Sequence, residues 1–203
     1  MTTLRLDTPH GPARAELHCC PQGRAALLLG HGAGGGTESA DLIAATRAAT
    51  DAGVHVALVE QPYRVAGRRA PAPARQLDAA WLAVAARLGD GVFADLPLVF
   101  GGRSSGARVA CRTAADGGAA AVLCLAFPVH PVGRPDRSRM GELDCVEVPV
   151  LVVQGERDPF GRPEPAAGRE VVLLSGDHSL KVDPVGVGRA VGEWLERRLR
   201  LLE

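Results

Sequence analysis

The chain has 203 residues, 46% of them hydrophobic and 23% charged, which is the composition of one folded domain and excludes a disordered or collagen-like chain. Its 23 basic residues balance its 23 acidic residues without long runs of one sign, so neither nucleic acid nor an anionic membrane is an expected partner. Because no segment approaches the roughly 20 apolar residues of a membrane helix and residues 1–10 lack a signal-peptide core, we expect a single cytoplasmic domain spanning residues 1–203.

The N-terminal part of the chain predicts a hairpin followed by a buried strand. Leu4–Leu6 and Ala15–His18 alternate polar and apolar residues on either side of a turn at 10–12, which is typical of two antiparallel strands. Ala25–Leu29 is a continuous apolar run that ends at glycine, as expected for a strand with both faces buried. We therefore predict a central parallel strand after an antiparallel edge.

From this strand onward, segments with helical spacing of apolar residues alternate with short apolar strands. The predicted helices are Asp41–Asp51, Gln76–Leu88, Ala107–Ala115 and Val185–Leu201. The predicted strands are Val54–Val59, Leu96–Phe100, Ala119–Ala126, Val148–Val153 and Glu170–Leu174. Segment 61–74, rich in Pro, Gly and Arg, is predicted to be a loop, and 127–147 is too short to form a domain. This alternation predicts an open α/β sheet.

Open α/β sheets bind their ligands at the carboxyl ends of the strands, so the loops that follow strands are the candidate site. Four such loops combine glycine with polar side chains, namely 30–36, 102–106, 155–159 and 176–179. The second has the form Gly-x-Ser-x-Gly between a strand and a helix, a sharp turn that lifts a serine hydroxyl clear of the sheet. Ser104 is therefore the candidate nucleophile.

A serine hydroxyl is a weak nucleophile, so it needs a base, and the base needs an acid to orient it. Asp158 and His178 each follow a predicted strand and complete the chain order Ser, Asp, His that this architecture uses. Asp177 is a rival acid, although adjacent side chains usually diverge, and His31 and His130 are rival bases. We take Asp158 as the orienting acid and His178 as the base.

One interpretation of the glycine-rich loop 30–36 is a dinucleotide site. Gly30, Gly32 and Gly35 satisfy the Gly-x-Gly-x-x-Gly pattern, and Glu60 ends the next predicted strand, where a ribose-binding acid would lie. Against it, the pattern is nearly unavoidable in so glycine-rich a run, and residues 38–40 delay the start of the helix.

The other interpretation is an oxyanion hole. A backbone N–H near Ala33 or Gly34, together with that of Ser105, would stabilise the negative oxygen of a tetrahedral intermediate. We favour this interpretation because it also accounts for the nucleophile, the acid and the base.

The candidate residues together resemble the alpha/beta-hydrolase fold over essentially the whole chain. The motifs that carry this resemblance are His31-Gly32-Ala33-Gly34-Gly35, Gly102-Arg103-Ser104-Ser105-Gly106, Asp158 and His178. A second set of motifs comprises Gln61-Pro62-Tyr63, Gly67-Arg68-Arg69, Gly101-Gly102-Arg103-Ser104, Arg157-Asp158-Pro159-Phe160 and Asp177-His178-Ser179. In these motifs the chain more narrowly resembles a small dienelactone-hydrolase-like family that also includes testis-expressed proteins and a chromatin-complex subunit of animals.

The resemblance implies an eight-stranded, mostly parallel sheet with helices on both faces, a Ser104, His178 and Asp158 triad, and no cofactor. Members of this fold often carry a cap after the sixth strand. Because only segment 127–147 is available there, we expect no substantial cap domain and an open site suited to a small acyl or ester group.

His31, Arg68 and Arg103 are the candidate substrate-binding residues, with His31 also a candidate for shaping its own loop. The arginines, with Arg64 and Arg69 nearby in the sequence, could form a cationic rim for an acidic substrate, because a guanidinium group matches carboxylate geometry. The alternative is that they are solvated surface side chains in an arginine-rich chain.

The sequence thus predicts a serine hydrolase that cleaves an ester, thioester or related acyl bond of a small molecule. The alternatives are a non-catalytic binding module of the same fold and a dinucleotide-binding protein. We expect no metal site and reduced thiols, because no cysteine pair has a metal-ligand spacing and their number is odd. The cysteines are Cys19, Cys20, Cys111, Cys124 and Cys145. The substrate and the oligomeric state are left open.

Overall fold

The computed structural model describes residues 2–200. Leu201, the last residue of the predicted C-terminal helix, lies outside this range, as do residues 1, 202 and 203 of the predicted domain. In chain order the elements are β1 Thr2–Leu6, β2 Ala13–His18, β3 Ala25–Gly30, α1 Ala40–Asp51, β4 Val54–Glu60, α2 Pro62–Val65, α3 Ala74–Gly89, β5 Leu98–Arg103, α4 Ser105–Thr113, β6 Ala121–Leu125, α5 Met140–Asp144, β7 Val150–Gly155, β8 Arg169–Leu174 and α6 Pro184–Leu199.

The strands form one eight-stranded sheet in the order β1-β2-β4-β3-β5-β6-β7-β8. β2 pairs antiparallel with β1 and β4, and the strands from β4 to β8 in this order pair in parallel. β3 lies at the centre, where Leu28 pairs with Ala57 on one side and Phe100 on the other. The expected mostly parallel eight-stranded sheet is confirmed.

Helices cover both faces of the sheet, which explains why the parallel strands read as continuous apolar runs. On one face, Trp81 of α3 packs edge-to-face against Phe100 of β5 with ring centroids 5.6 Å apart. On the other face, α1 and α6 bury Leu42 and Trp194 against the strands. None of the helices within residues 2–200 is long and apolar enough to cross a membrane.

Two short helices lie where the sequence predicted no helix. α2 follows β4 directly and begins at Pro62, since proline is favoured at a first helical position, where its missing N–H costs nothing. Because segment 61–74 is rich in Pro and Gly, its composition predicted a loop and not this turn of helix. Segment 127–147 contains only α5 and holds no further strand or helix, so the expectation of no substantial cap is confirmed.

Segment 127–147 is attached to α4 by charged side chains. Arg108 donates two hydrogen bonds to the Glu142 carboxylate at 2.8 and 2.6 Å, and Arg112 pairs with both Glu142 and Asp78 of α3. Burial alone would favour the neutral acid at Glu142, but these guanidinium groups outweigh it and lower the pKa of the carboxyl. The segment is therefore held against α4.

β5 continues further than its composition predicts. Its predicted end was Phe100, because glycine is disfavoured within strands, yet Gly101 and Gly102 extend the parallel ladder to Arg103. A Cβ atom on Gly102 would lie 2.6 Å from the carbonyl carbon of Gly106 and 2.8 Å from the carbonyl oxygen of Gly30. Only glycine allows β3, β5 and α4 to approach this closely.

We predict that Gly106→Ala destabilises the protein by about 1–3 kcal/mol, because its Cβ would overlap the backbone of Gly30 rather than a movable side chain. Gly141→Ala in α5 is the matched control, since a Cβ there meets nothing within 4 Å and alanine favours helix. Urea unfolding of both variants measures the difference. Equal free energies of unfolding for Gly106→Ala and the wild type would contradict the prediction.

Candidate active site

Ser104 occupies a strained turn between β5 and α4. Its backbone has φ 53° and ψ −107°, a conformation that costs a non-glycine residue roughly 1–3 kcal/mol. Its N–H donates to the carbonyl of Leu125 at 2.9 Å, and Gly106 packs without a side chain against Gly30. These contacts hold the turn in place, so the hydroxyl stands above the carboxyl edge of the sheet.

The imidazole of His178 connects Ser104 to Asp158. Nδ1 lies 2.8 Å from Oδ2 of Asp158, and Nε2 lies 2.8 Å from Oγ of Ser104. Because an ionised carboxylate only accepts hydrogen bonds, Nδ1 carries the proton and Nε2 is left to accept the Ser104 hydroxyl proton. The ring is tilted against Phe160, with centroids 4.2 Å apart, which limits its rotation.

The Asp158 carboxylate is fully buried and is surrounded by donors. Oδ1 accepts the Phe160 N–H at 2.8 Å, and Oδ2 accepts from the Gln154 side-chain amide at 2.8 Å as well as from His178. A buried charge without such partners would be very costly. These hydrogen bonds also fix which oxygen faces the imidazole.

Gln154 was not among the residues predicted from the sequence. Its side chain is completely buried at the end of β7, and its Nε2 also lies 3.1 and 2.8 Å from the carbonyl oxygens of Phe127 and Gly161, so its two hydrogens are shared among three acceptors. The signal was a single amide side chain in the apolar strand Val150–Gly155, since a buried polar group needs partners and so marks a polar site.

Asp177, the rival acid, is turned away from the imidazole. Its carboxylate accepts from the N–H and the hydroxyl of Ser179 at 2.9 and 2.6 Å, which lowers its pKa. A Cβ on Gly155 would overlap the Asp177 carbonyl, so the two loops that carry Asp158 and His178 pack backbone to backbone. The structure therefore places Asp158 at His178, as its position after β7 predicts.

His31, which was predicted as a substrate-binding residue and as a rival base, has no free nitrogen. Nε2 accepts the N–H of Gln61 at 3.1 Å, so Nδ1 carries the proton and donates to the carbonyl of Gly32 at 2.8 Å. Burial lowers the pKa of the imidazole and keeps it neutral. Both ring nitrogens of His31 are therefore occupied within the protein, one of them by its own loop, and its substrate-binding role stays a prediction. The other rival base, His130, faces the carbonyl of Pro131.

The glycine-rich loop lies beside the start of α4. Gly30 pairs with Gly102 in the ladder, so Ala33 and Gly34, which follow β3, reach the same edge as Ser105, the first residue of α4. The first N–H groups of a helix have no partner within the helix and attract negative charge. The carbonyl of Ala33 is held by the Tyr63 hydroxyl at 2.9 Å, a contact that links this loop to α2.

Arg103 and Arg68 lie in different surroundings. The Arg103 guanidinium is 3.1 Å from the buried carboxylate of Asp41 and donates to the carbonyl of His178 at 3.2 Å. It does not project from the surface as a free cation. Arg68 is exposed and lines a cavity of about 430 Å³ whose wall includes Tyr63 but neither Ser104 nor His178.

The residues of the dinucleotide interpretation are arranged differently from what that ligand requires. The Glu60 carboxylate is paired with Arg14 at 2.6 Å, and α1 begins only at Ala40, well after the glycine-rich run. Within residues 2–200, no group of three or more His, Cys, Asp and Glu side chains is arranged to hold a metal ion.

Comparison with known proteins identifies the same architecture. Residues 23–189 match a family described as an alpha/beta hydrolase domain, and no curated protein matches the chain at a significant level. An alpha-beta serine hydrolase homologue from Coxiella burnetii is 17% identical with a TM-score of 0.77, covering 96% of this chain and 97% of that one.

Two further solved structures extend the comparison. A serine hydrolase without a lid from Xanthomonas campestris is 22% identical with a TM-score of 0.75, covering 97% of this chain and 94% of that one. A dienelactone hydrolase from Anabaena variabilis is 17% identical with a TM-score of 0.75, covering 97% and 96%. At these identities the likeness shows the fold.

We predict that Gln154→Leu lowers the free energy of unfolding by about 1–3 kcal/mol, because the carbonyls of Phe127 and Gly161 and one oxygen of Asp158 lose a buried donor. Gln76→Leu, at an exposed position, is the control and is expected to change stability by less than about 0.5 kcal/mol. Urea unfolding measures both. A Gln154→Leu protein as stable as Gln76→Leu would show that these hydrogen bonds contribute little.

Proposed function

The chain belongs to the alpha/beta-hydrolase family, and we propose that it is a serine hydrolase that cleaves an ester, thioester or related acyl bond of a small molecule. The observation that carries this proposal is the pair of 2.8 Å contacts that His178 makes with Ser104 and Asp158. We further propose that the whole chain forms one domain.

In the proposed reaction, Ser104 Oγ attacks the carbonyl carbon of the substrate while His178 Nε2 takes the hydroxyl proton. The same imidazole then gives this proton to the leaving group, and an acyl-enzyme remains. Water, activated by His178, hydrolyses the acyl-enzyme and restores Ser104. Asp158 stays ionised throughout and stabilises the imidazolium through Nδ1.

The proposed oxyanion hole combines the N–H of Ser105 with an N–H of Ala33 or Gly34. Donors that are fixed before the reaction stabilise the negative oxygen of the tetrahedral intermediate without reorganisation. The Tyr63 contact with the Ala33 carbonyl supports this assignment, because it restrains the loop whose N–H groups must face the substrate.

The substrate is proposed to be small because little of the chain covers the site. Segment 127–147 provides only α5, which is tied by Glu142 to α4. An open site binds the reacting acyl group and leaves the rest of a ligand at the surface.

Arg68 is proposed to bind an acidic group of the substrate in the cavity of about 430 Å³ beside Tyr63. Arg5 and Arg68 line this cavity without any Asp or Glu, while Pro62, Val65 and Leu77 supply apolar surface. Tyr63 lines this cavity and its hydroxyl contacts the carbonyl of Ala33, so the cavity adjoins the loop of the proposed oxyanion hole.

Fluorophosphonate labelling tests the hydrolase proposal. We expect one covalent adduct on the wild-type protein, none on Ser104→Ala, and an unchanged adduct on Ser138→Ala, which alters an exposed serine of the 127–147 segment. Intact mass measures the adducts. Absence of an adduct on the wild type would instead favour the non-catalytic binding module.

Ester selectivity tests the role of Arg68. For the anionic p-nitrophenyl hemisuccinate we expect Arg68→Ala to lower kcat/KM by up to about 5-fold, the size of an exposed ion pair, while p-nitrophenyl butyrate is hydrolysed as before. Arg69→Ala is the matched control, because this neighbouring exposed arginine does not line the cavity. Equal losses on both esters would refute a charge-specific role.

A further inference from the structure

The side chain of Arg103 lies among three segments that meet at the candidate site. Nη2 donates to the carbonyl of His178 at 3.2 Å, and Nε lies 3.1 Å from Oδ2 of Asp41 in the first turn of α1. A Cβ on Gly32 would be 2.7 Å from Nη1, so the guanidinium also rests against the glycine-rich loop. Arg103 itself is the residue before Ser104.

Asp41 is the feature that makes this arrangement specific. Its carboxylate is completely buried, and Oδ1 accepts the N–H of Leu42 at 3.0 Å. A buried carboxylate needs a cation, and the helix N-terminus provides only part of that compensation. The Nε–H of Arg103 does not point directly along the contact to Oδ2, so the two groups form an ion pair rather than an aligned hydrogen bond.

We propose that Arg103, anchored by Asp41, is a positioning residue that holds the carbonyl of His178 and thereby keeps Nε2 on the hydroxyl of Ser104. This inference rests on the proposed function and goes beyond it. The loop of His178 is tied on its other side through Gly155, whose backbone packs against the Asp177 carbonyl. Arg103 provides the restraint that faces Ser104.

This role differs from the cationic rim that the sequence suggested for Arg103. The side chain is only 20% exposed, and its charge is balanced by Asp41 within the protein. Because the Asp41 carboxylate already compensates this guanidinium, it attracts an anionic substrate only weakly. Its planar group of donors suits contacts with several segments at once. Positioning errors of about 1 Å can cost roughly 100-fold in rate.

The variants that test the proposal separate charge from hydrogen bonding. Arg103→Met keeps a long side chain but loses both the positive charge and the hydrogen bond to the His178 carbonyl. Arg103→Lys keeps the positive charge near Asp41 but loses the planar guanidinium that reaches His178. Arg112→Met is the matched control, because its side chain is 18% exposed and pairs with Asp78 and Glu142, away from His178.

Two kinetic results are expected. Arg103→Met should lower kcat for p-nitrophenyl butyrate and the rate of fluorophosphonate labelling by roughly 10- to 100-fold, with little change in KM. Both rates should also fall in Arg103→Lys. Arg112→Met should keep the wild-type rates. Added guanidinium chloride should partly restore Arg103→Ala but not Arg103→Ala/Asp41→Asn, which lacks the anchoring carboxylate.

A readout that needs no turnover separates this proposal from the proposed function. NMR of ¹⁵N-labelled imidazoles, with the His178 signal assigned from His178→Ala, should show that signal displaced in Arg103→Met and Arg103→Lys but not in Arg112→Met. If the wild type forms no adduct, the proposed function fails, and the displaced signal still supports positioning. An unshifted signal would overturn the proposal, as would a rise in KM confined to anionic esters with kcat unchanged.

Discussion

The close approach of three backbones beneath Ser104 is the constraint on which the site depends. A Cβ atom on Gly102 of β5 or on Gly106 of α4 would overlap the backbone of Gly30 in β3. Because backbone cannot move aside as a side chain can, strand spacing and helix position are fixed together. The strained φ of Ser104 persists because its surroundings leave it no alternative.

The contact between Asp158 and His178 depends on a second requirement, the compensation of buried polar groups. Asp158 is buried, which strengthens its interaction with His178, but it then needs Gln154 and the Phe160 N–H as further donors. Gln154 in turn binds the carbonyls at Phe127 and Gly161, which joins β7 to the segment after β6. Disturbing any member of this network would therefore alter the orientation of the imidazole.

Four arginines that the structure describes differ in how far they are buried. Arg103 and Arg112 are mostly buried and are neutralised by carboxylates of the protein, so their charges act on its internal geometry. Arg5 and Arg68 are exposed beside a cavity with no acidic side chain, so their charges face solvent. A chain of zero formal net charge thus still has local sites of distinct electrostatic character.

Periodicity, glycine placement and chain order are properties of the sequence, so the alternation of strands and helices and the candidates Ser104, Asp158 and His178 could be predicted before the fold was known. The sequence did not reveal α2, the extension of β5 through Gly101, or Gln154, since these depend on neighbours distant in the chain. The contacts of Arg103 and His31 also could not be predicted from the sequence. Only the tertiary structure showed that Arg103 faces Asp41 and that both nitrogens of His31 are occupied, because partners in space decide whether a polar group is free to meet a substrate.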